Sequence, residues 1–184
     1  MSQKTKIKDY ILMGSYLTPE ECDKCIKLYD TKQWAPHSWY NVELNTAKGE
    51  STDCNVAETD INFNDILLPA IQKALKDYTS KIAKTRIFSK MSELRLNRYS
   101  KGKNMRTHFD HIHSIFDGEN KGIPILSIVG LLNNNFTGGE FYINGVNIQL
   151  KKGDIILFPS NFMYPHEVKT IKKGERYSYV GWMF

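Results

Sequence analysis

The spacing of apolar and polar positions along this chain changes once, near Ser92. Before that point apolar residues recur at helical spacing. Thr18-Pro19-Glu20-Glu21 sets a hydroxyl acceptor, a proline at the first helical position and a carboxylate three residues on. That is a capping box, and it predicts a helix running to about Asp30. Leu67, Ile71, Ala74, Leu75, Tyr78 and Ile82 share one face of a second helix, with Pro69 expected in its first turn. Between the two, the stretch from Gln33 to Asn64 is polar, dotted with Trp34, Trp39 and Tyr40, and without a sustained period. It predicts a long excursion with short strands at most, a kind of segment that is usually functional or mobile.

From Ser92 to Phe184 short apolar runs alternate with turn signals. Strands are predicted at 92–99, 124–132, 139–143, 146–150, 154–158, 165–171 and 175–183. Asn133-Asn134-Asn135, Gly138-Gly139, Asn144-Gly145, Lys152-Gly153 and Lys173-Gly174 punctuate them. Asn144-Gly145 is the clearest hairpin signal. Many short strands at this spacing predict a sandwich or barrel of the jelly-roll kind, so the class is mainly β with N-terminal helices (α+β). No internal repeat is present.

Composition narrows the class further. A chain of 184 residues with 41% apolar and 24% charged positions fits one folded domain and excludes a disordered one. No run of 18 apolar residues occurs, so no membrane-spanning helix is expected. The apolar run from Tyr10 to Met13 is too short for a signal peptide, and the expected address is the cytoplasm. Three cysteines, an odd number, agree with a reducing compartment. Cys22 and Cys25 form a CxxC on the first predicted helix, but no second pair completes a zinc site and no βαβ pattern surrounds them. They are expected to be plain helix-face thiols. The net charge of +5 admits nucleic acid or an acidic partner. Lys and Arg are nevertheless spread along the chain and never cluster beyond pairs such as Lys151-Lys152, which speaks for solubility over a binding stripe.

The candidate chemistry lies in the β half. His108 and Asp110, two apart in an extended segment, point the same way, as two ligands of one metal must. Alone this pair is a weak signal. His166 opens a late strand. Two histidines and a carboxylate on one face of a metal form the facial triad of non-haem iron(II) oxygenases, while the plain alternative for His166 is a surface or satisfied core histidine. Arg176 follows ten residues later. If Lys172-Lys173-Gly174 is a three-residue hairpin loop, Val168 pairs Ser178 and His166 pairs Val180, and His166, Arg176 and Ser178 face one side. A two-residue loop turns Arg176 to the other face. In the first register the backbones of His166 and Arg176 stand roughly 13 Å apart, a gap that a metal-bound diacid and two side chains can bridge. Arginine suits a bidentate grip on the far carboxylate, although a surface arginine on a terminal strand remains the plain reading.

His108-x-Asp110, His166 and Arg176 resemble the 2-oxoglutarate- and iron(II)-dependent oxygenases, and among them the prolyl 4-hydroxylase-like branch. The resemblance covers about Ser92 to Phe184. Arg98-Tyr99-x-x-Gly102 looks like the family's lead-in, Gly138-Gly139-Glu140 like its mid-barrel turn, and Gly153-Asp154 to Phe158 like its late strand. His166-x-Val168, Gly174-x-Arg176 and Gly181-Trp182 look like its closing strands. Many members of the branch carry Lys where Arg176 stands, and either residue grips a carboxylate.

The resemblance implies a double-stranded β-helix, the jelly-roll or cupin-like roll, with helices packed outside. Residues 1–184 would form a single domain, with 1–91 as helical support and substrate-side loop and 92–184 as the β-helix core. It also implies iron(II) on His108, Asp110 and His166, with 2-oxoglutarate held by Arg176, Tyr99 and Ser178. Dioxygen is the second co-substrate, and ascorbate is a candidate reductant. The expected reaction is hydroxylation of an unactivated C–H bond, giving succinate and carbon dioxide, with a peptidyl proline first in line as substrate. A free amino acid or other small molecule is the alternative.

No side chain is expected to act as acid or base. Trp34, Trp39 and Tyr40 are candidates for the substrate side, and 33–62 and His111 to Gly122 are candidate covers. His111 and His113 fall out of phase with the ligand pair and are expected to be loop residues, and His37 is not expected to be a ligand. Two other classes are weighed. A non-catalytic jelly-roll binding module would be expected to lack one of the four site residues, and all four are present. A nucleic-acid dioxygenase would need a basic groove, with Trp34, Trp39 and Tyr40 stacking on bases.

Overall fold

The computed structural model describes residues 6–41, 46–84, 88–110 and 123–184. Strand β1 (Leu12–Ser15) leads into helix α1 (Pro19–Tyr29), followed by the short strands β2 (Ala35–Pro36), β3 (Trp39–Asn41), β4 (Thr46–Lys48) and β5 (Asn55–Glu58) and by helix α2 (Ile61–Tyr78). Ten strands follow: β6 (Arg95–Tyr99), β7 (Met105–His108), β8 (Leu126–Leu131), β9 (Thr137–Gly138), β10 (Phe141–Ile143), β11 (Val146–Ile148), β12 (Asp154–Pro159), β13 (His166–Val168), β14 (Ile171–Lys173) and β15 (Arg176–Met183). No helix among the described residues is long and apolar enough to cross a membrane.

The helix ends obey local chemistry. Thr18 Oγ1 accepts from the Glu21 amide at 3.2 Å, and Glu21 answers by accepting from the Thr18 amide at 2.8 Å, the expected capping box. Asp60 caps α2 by accepting from the amides of Asn62 and Phe63. That cap starts the helix eight residues before Pro69, which therefore lies inside α2 and not in its first turn. The expectation failed because it was read from the apolar face, and the turn before that face is set by a polar side chain.

Seven strands form the major sheet in the order β1-β12-β8-β15-β6-β5-β2, and β11-β10-β13-β7 form a smaller sheet opposite. The central strands β8, β12 and β15 are buried on both faces, which explains their nearly unbroken apolar runs. Leu94, Leu96, Ile128, Ile155, Leu157 and Tyr179 turn to one side and pack with Phe63, Leu67 and Ile71 of α2 and Tyr29 of α1. Their alternates Tyr99, Val129, Ile156, Phe158, Val180 and Trp182 turn to the other side and pack with Phe141, Ile143 and Val168 of the smaller sheet. The first third of the chain does more than support this roll. Its strands β1, β2 and β5 are themselves members of the major sheet.

The Asn144-Gly145 hairpin stands as expected, with Ile143 paired to Val146. The register from His166 to Arg176 does not. β13 pairs with β10 and β7 in the smaller sheet, whereas β15 pairs with β6 and β8 in the major one. β14, paired with β9, intervenes between them, and Gly174, at φ +76°, turns the chain from β14 into β15, so the predicted hairpin pairing of Val168 with Ser178 is absent. A turn signal shows that the chain reverses but not which sheet receives the next strand.

Cys22, Cys25 and Cys54 are all buried and free. Burial pushes the Cys22 and Cys25 thiols up to about 11 and about 12, which suits inert helix-face residues.

Candidate active site

The two sheets enclose a cavity, and the triad sits at its wall. His108 on β7 stands directly across from His166 on β13. Cross-strand partners share a face, and the two imidazole rings lie 4.3 Å apart, centre to centre. Asp110, just past the end of β7, completes the cluster. Its Oδ1 is 3.5 Å from His108 Nε2 and its Oδ2 is 3.7 Å from His166 Nε2. One donor atom from each of the three residues lies within 4.8 Å of the others.

Backbone carbonyls set the tautomer of both histidines. His108 Nδ1 is 2.7 Å from the Arg106 carbonyl and His166 Nδ1 is 3.1 Å from the Tyr164 carbonyl. A carbonyl can only accept, so each Nδ1 carries the proton and each Nε2 presents a lone pair. Burial pushes His166 down to about 4, against the pull of Asp110, and keeps it neutral near pH 7. Burial alone would raise the Asp110 carboxyl, but His166, His108, a hydrogen bond from Ser127 and the nearby Trp182 hold it below the ordinary carboxylate value. Ser127 Oγ donates at 2.6 Å from β8 and itself lies 2.8 Å from Ser160 Oγ. Two imidazole nitrogens and a carboxylate oxygen fit a divalent first-row metal and leave its other positions open.

Arg176 reaches the same cavity from β15, facing the triad from the opposite sheet. It is 1% exposed. Its Nη1 donates to Ser178 Oγ at 2.7 Å, while Nε and Nη2 are buried without a partner. No carboxylate among the described residues pairs with it. A desolvated guanidinium with two unused donors fits the carboxylate of a diacid anchored on the metal. Gly139, at φ +68°, leaves room for it, since a Cβ there would come within 3.2 Å of Arg176 Cδ. Tyr99 lies opposite Arg176 in the sheet, its ring beneath the guanidinium at 5.3 Å. Burial holds its hydroxyl protonated, and that hydroxyl also bonds Cys54.

The predicted substrate-side residues are not brought together. Trp34 packs on the helix side of the major sheet, its ring 5.1 Å from Tyr29 and its Nε1 donating to the Tyr29 carbonyl at 3.2 Å. It is therefore remote from the cavity. Trp39 is not among the residues lining the cavity; the Arg106 guanidinium lies 5.0 Å over its ring, with His37 beside it. The Tyr40 side chain lies outside the described residues, as do His111, His113 and the whole 111–122 segment. Of the other candidate cover, β2 and β5 are built into the sheet edge and β3 and β4 pair as a hairpin.

The sequence did not single out Arg95 and Asn97, and it marked His37 only as a non-ligand. Arg95 and Asn97 line the cavity beside Tyr99. The period-two rule applied backward from Tyr99 finds both. His37 lies 3.5 Å from Asp53 and carries a pH signature. Burial and the nearby charge of Arg95 push it down from 6.5 to about 4, against the pull of Asp53. Between those values the unfolded chain takes up a proton that the folded chain refuses, so stability falls as pH drops through the window. Urea unfolding of the metal-free protein should lose on the order of 1–2 kcal/mol more in wild type than in His37→Gln between pH 7 and pH 4.5. Equal losses would remove His37 from the acid response.

Residues 94–184 match the 2OG-Fe(II) oxygenase superfamily. A PKHD-type hydroxylase of Prochlorococcus marinus (strain MIT 9312) is 43% identical over 54 residues, covering 27% of this chain and 24% of that protein. The chain thus spans about a quarter of the length of the curated relatives it matches. The viral collagen prolyl hydroxylase of Paramecium Bursaria Chlorella virus-1, solved as a 2OG complex, is similar with a TM-score of 0.66 at 18% identity over 95% of this chain and 94% of that one. A Trichoplax adhaerens prolyl hydroxylase, in complex with a hypoxia inducible factor oxygen degradation domain peptide fragment, is similar with a TM-score of 0.72 at 16% identity over 96% of this chain and 84% of that one. At such identities the likeness shows the shared fold, the expected double-stranded β-helix.

Proposed function

Because the chain belongs, through residues 94–184, to the 2OG-Fe(II) oxygenase superfamily, whose members use iron(II), 2-oxoglutarate and dioxygen, we propose that it is a hydroxylase of the prolyl 4-hydroxylase-like branch. Bound iron(II), with 2-oxoglutarate and dioxygen, supplies the oxidising power to hydroxylate an unactivated C–H bond, with succinate and carbon dioxide as co-products. The chain's own part is placement. His108 and His166 offer Nε2, and Asp110, kept ionised, offers its carboxylate. Arg176, oriented by Ser178, and Tyr99 would hold the far carboxylate of 2-oxoglutarate. Phe141, Val168 and Val180 give the cavity apolar walls that exclude water. Ascorbate would serve as the reductant that sustains turnover.

The observation that carries this reading is the meeting of three metal-type donors and one unpaired buried guanidinium in a single cavity. A peptidyl proline is the leading substrate class, supported by the likeness to prolyl hydroxylases, one of them peptide-bound. The short span matched in the curated relatives keeps a free amino acid as the alternative. Succinate yield in the presence of iron(II), measured across prolyl peptides and free amino acids, separates them. Succinate coupled to peptide hydroxylation is expected. Coupling with free amino acids alone would move the assignment to the alternative, and no succinate with either would contradict it. The free, buried cysteines support the cytoplasm as the place of action.

A further inference from the structure

The cavity holds a second guanidinium that the co-substrate does not use. Arg95, Asn97 and Tyr99 alternate on β6 and face inward. Arg176 stands across from Tyr99, and Val180 across from Arg95. The two arginines are thus at opposite ends of one strand pair, roughly 13 Å apart along the backbone. Arg95 is at the metal end. Its guanidinium lies 5.2 Å over the Trp182 ring, and both residues line the cavity together with the triad.

No carboxylate among the described residues forms an ion pair with Arg95. Glu58 stands directly across from it on β5 without pairing to it. Asp53 lies 3.5 Å from His37 Nδ1 and accepts from the Glu50 amide at 3.1 Å. Arg95 Nε is buried without a partner. So is Oδ1 of Asn97, a residue 2% exposed on the same inner face. A guanidinium over an indole face can still offer N–H donors to a planar anion. Leaving such a cation and a neighbouring acceptor unpaired in a cavity is costly unless a ligand satisfies them.

We propose that Arg95 binds a carboxylate of the primary substrate, so that the substrate carries an acid group close to the C–H bond presented to the metal. This rests on the oxygenase reading above and narrows its substrate class. The acid has two sources of one chemistry, the α-carboxylate of a free amino acid or an acidic side chain beside the target residue of a peptide.

Calorimetry on the enzyme loaded with Mn(II) and 2-oxoglutarate tests it with matched probes. One pair is L-proline and L-prolinamide. The other pairs are acetylated, amidated Glu-Pro-Gly and Gly-Pro-Glu, each against its glutamine counterpart. In at least one pair the acid should bind at least about tenfold tighter than the amide, as expected for charge-assisted hydrogen bonds. Arg95→Gln should collapse that ratio to near one, and Arg95→Lys should restore part of it. Which pair responds identifies the source of the acid. Equal binding of acid and amide in every pair, no detectable binding of any acid, or a ratio unchanged in Arg95→Gln would each overturn the assignment. Binding of 2-oxoglutarate to the Mn(II)-loaded enzyme is read separately. Its absence would sink the oxygenase reading at Arg176 rather than the acid site at Arg95.

Discussion

His108→Ala is expected to abolish metal-dependent turnover while the protein stays folded. The His108 side chain is 38% exposed at the end of β7, so its removal leaves no core cavity. Urea unfolding should therefore change by no more than about 0.5 kcal/mol, the usual range for surface substitutions. What is lost is one of three donors. Asp110 and His166 alone leave the metal two protein ligands, and the loss of activity should go well beyond the roughly 10–100-fold that follows removal of a group behind a ligand. Mn(II) binding by calorimetry should weaken in parallel. Wild-type turnover in this variant would refute the ligand assignment.

Arg176→Met should act on the co-substrate and spare the metal. Two buried donors of Arg176 are available to a carboxylate, and charge-assisted hydrogen bonds of this kind contribute about 1.5–3 kcal/mol each. The concentration of 2-oxoglutarate needed for half-maximal rate should rise by about two orders of magnitude or more, with Mn(II) affinity unchanged. Stability should move in the opposite sense to the usual core substitution. No described carboxylate pairs with Arg176, so the methionine removes a desolvated charge and strands no ion, only the Ser178 hydroxyl that Nη1 had met. The unfolding midpoint in the absence of 2-oxoglutarate should match or exceed that of wild type. Added 2-oxoglutarate should then raise the wild-type midpoint but not that of the variant, because only a ligand that binds the folded state stabilises it. A wild-type ligand response in Arg176→Met would place the co-substrate elsewhere.

Local rules were legible in the sequence where a few neighbouring residues decide the outcome. The Thr18 capping box and the Asn144-Gly145 turn are cases of this, and so are the apolar runs of the major sheet's central strands, long because both faces are buried. The four site residues were legible because their order and spacing agree with a known family. What depended on distant partners was not. Leu12–Ser15 gives no strand signal of its own and becomes one by pairing with β12. Trp34 has the sequence surroundings of an exposed aromatic, yet it finds Tyr29 after the chain turns. Arg176 faces the triad, as expected for a gripping residue, but across two sheets instead of along one hairpin. Side-chain direction survived the error in topology because both strands line the same cavity.

Diffraction from crystals soaked with Mn(II) and 2-oxoglutarate, with anomalous scattering to place the metal, tests the central claim most directly. A single manganese peak bonded to His108 Nε2, Asp110 and His166 Nε2, with the far carboxylate of 2-oxoglutarate on Arg176, is the predicted result. A metal bound away from these three side chains, or a co-substrate that leaves the Arg176 guanidinium unpaired, would contradict it.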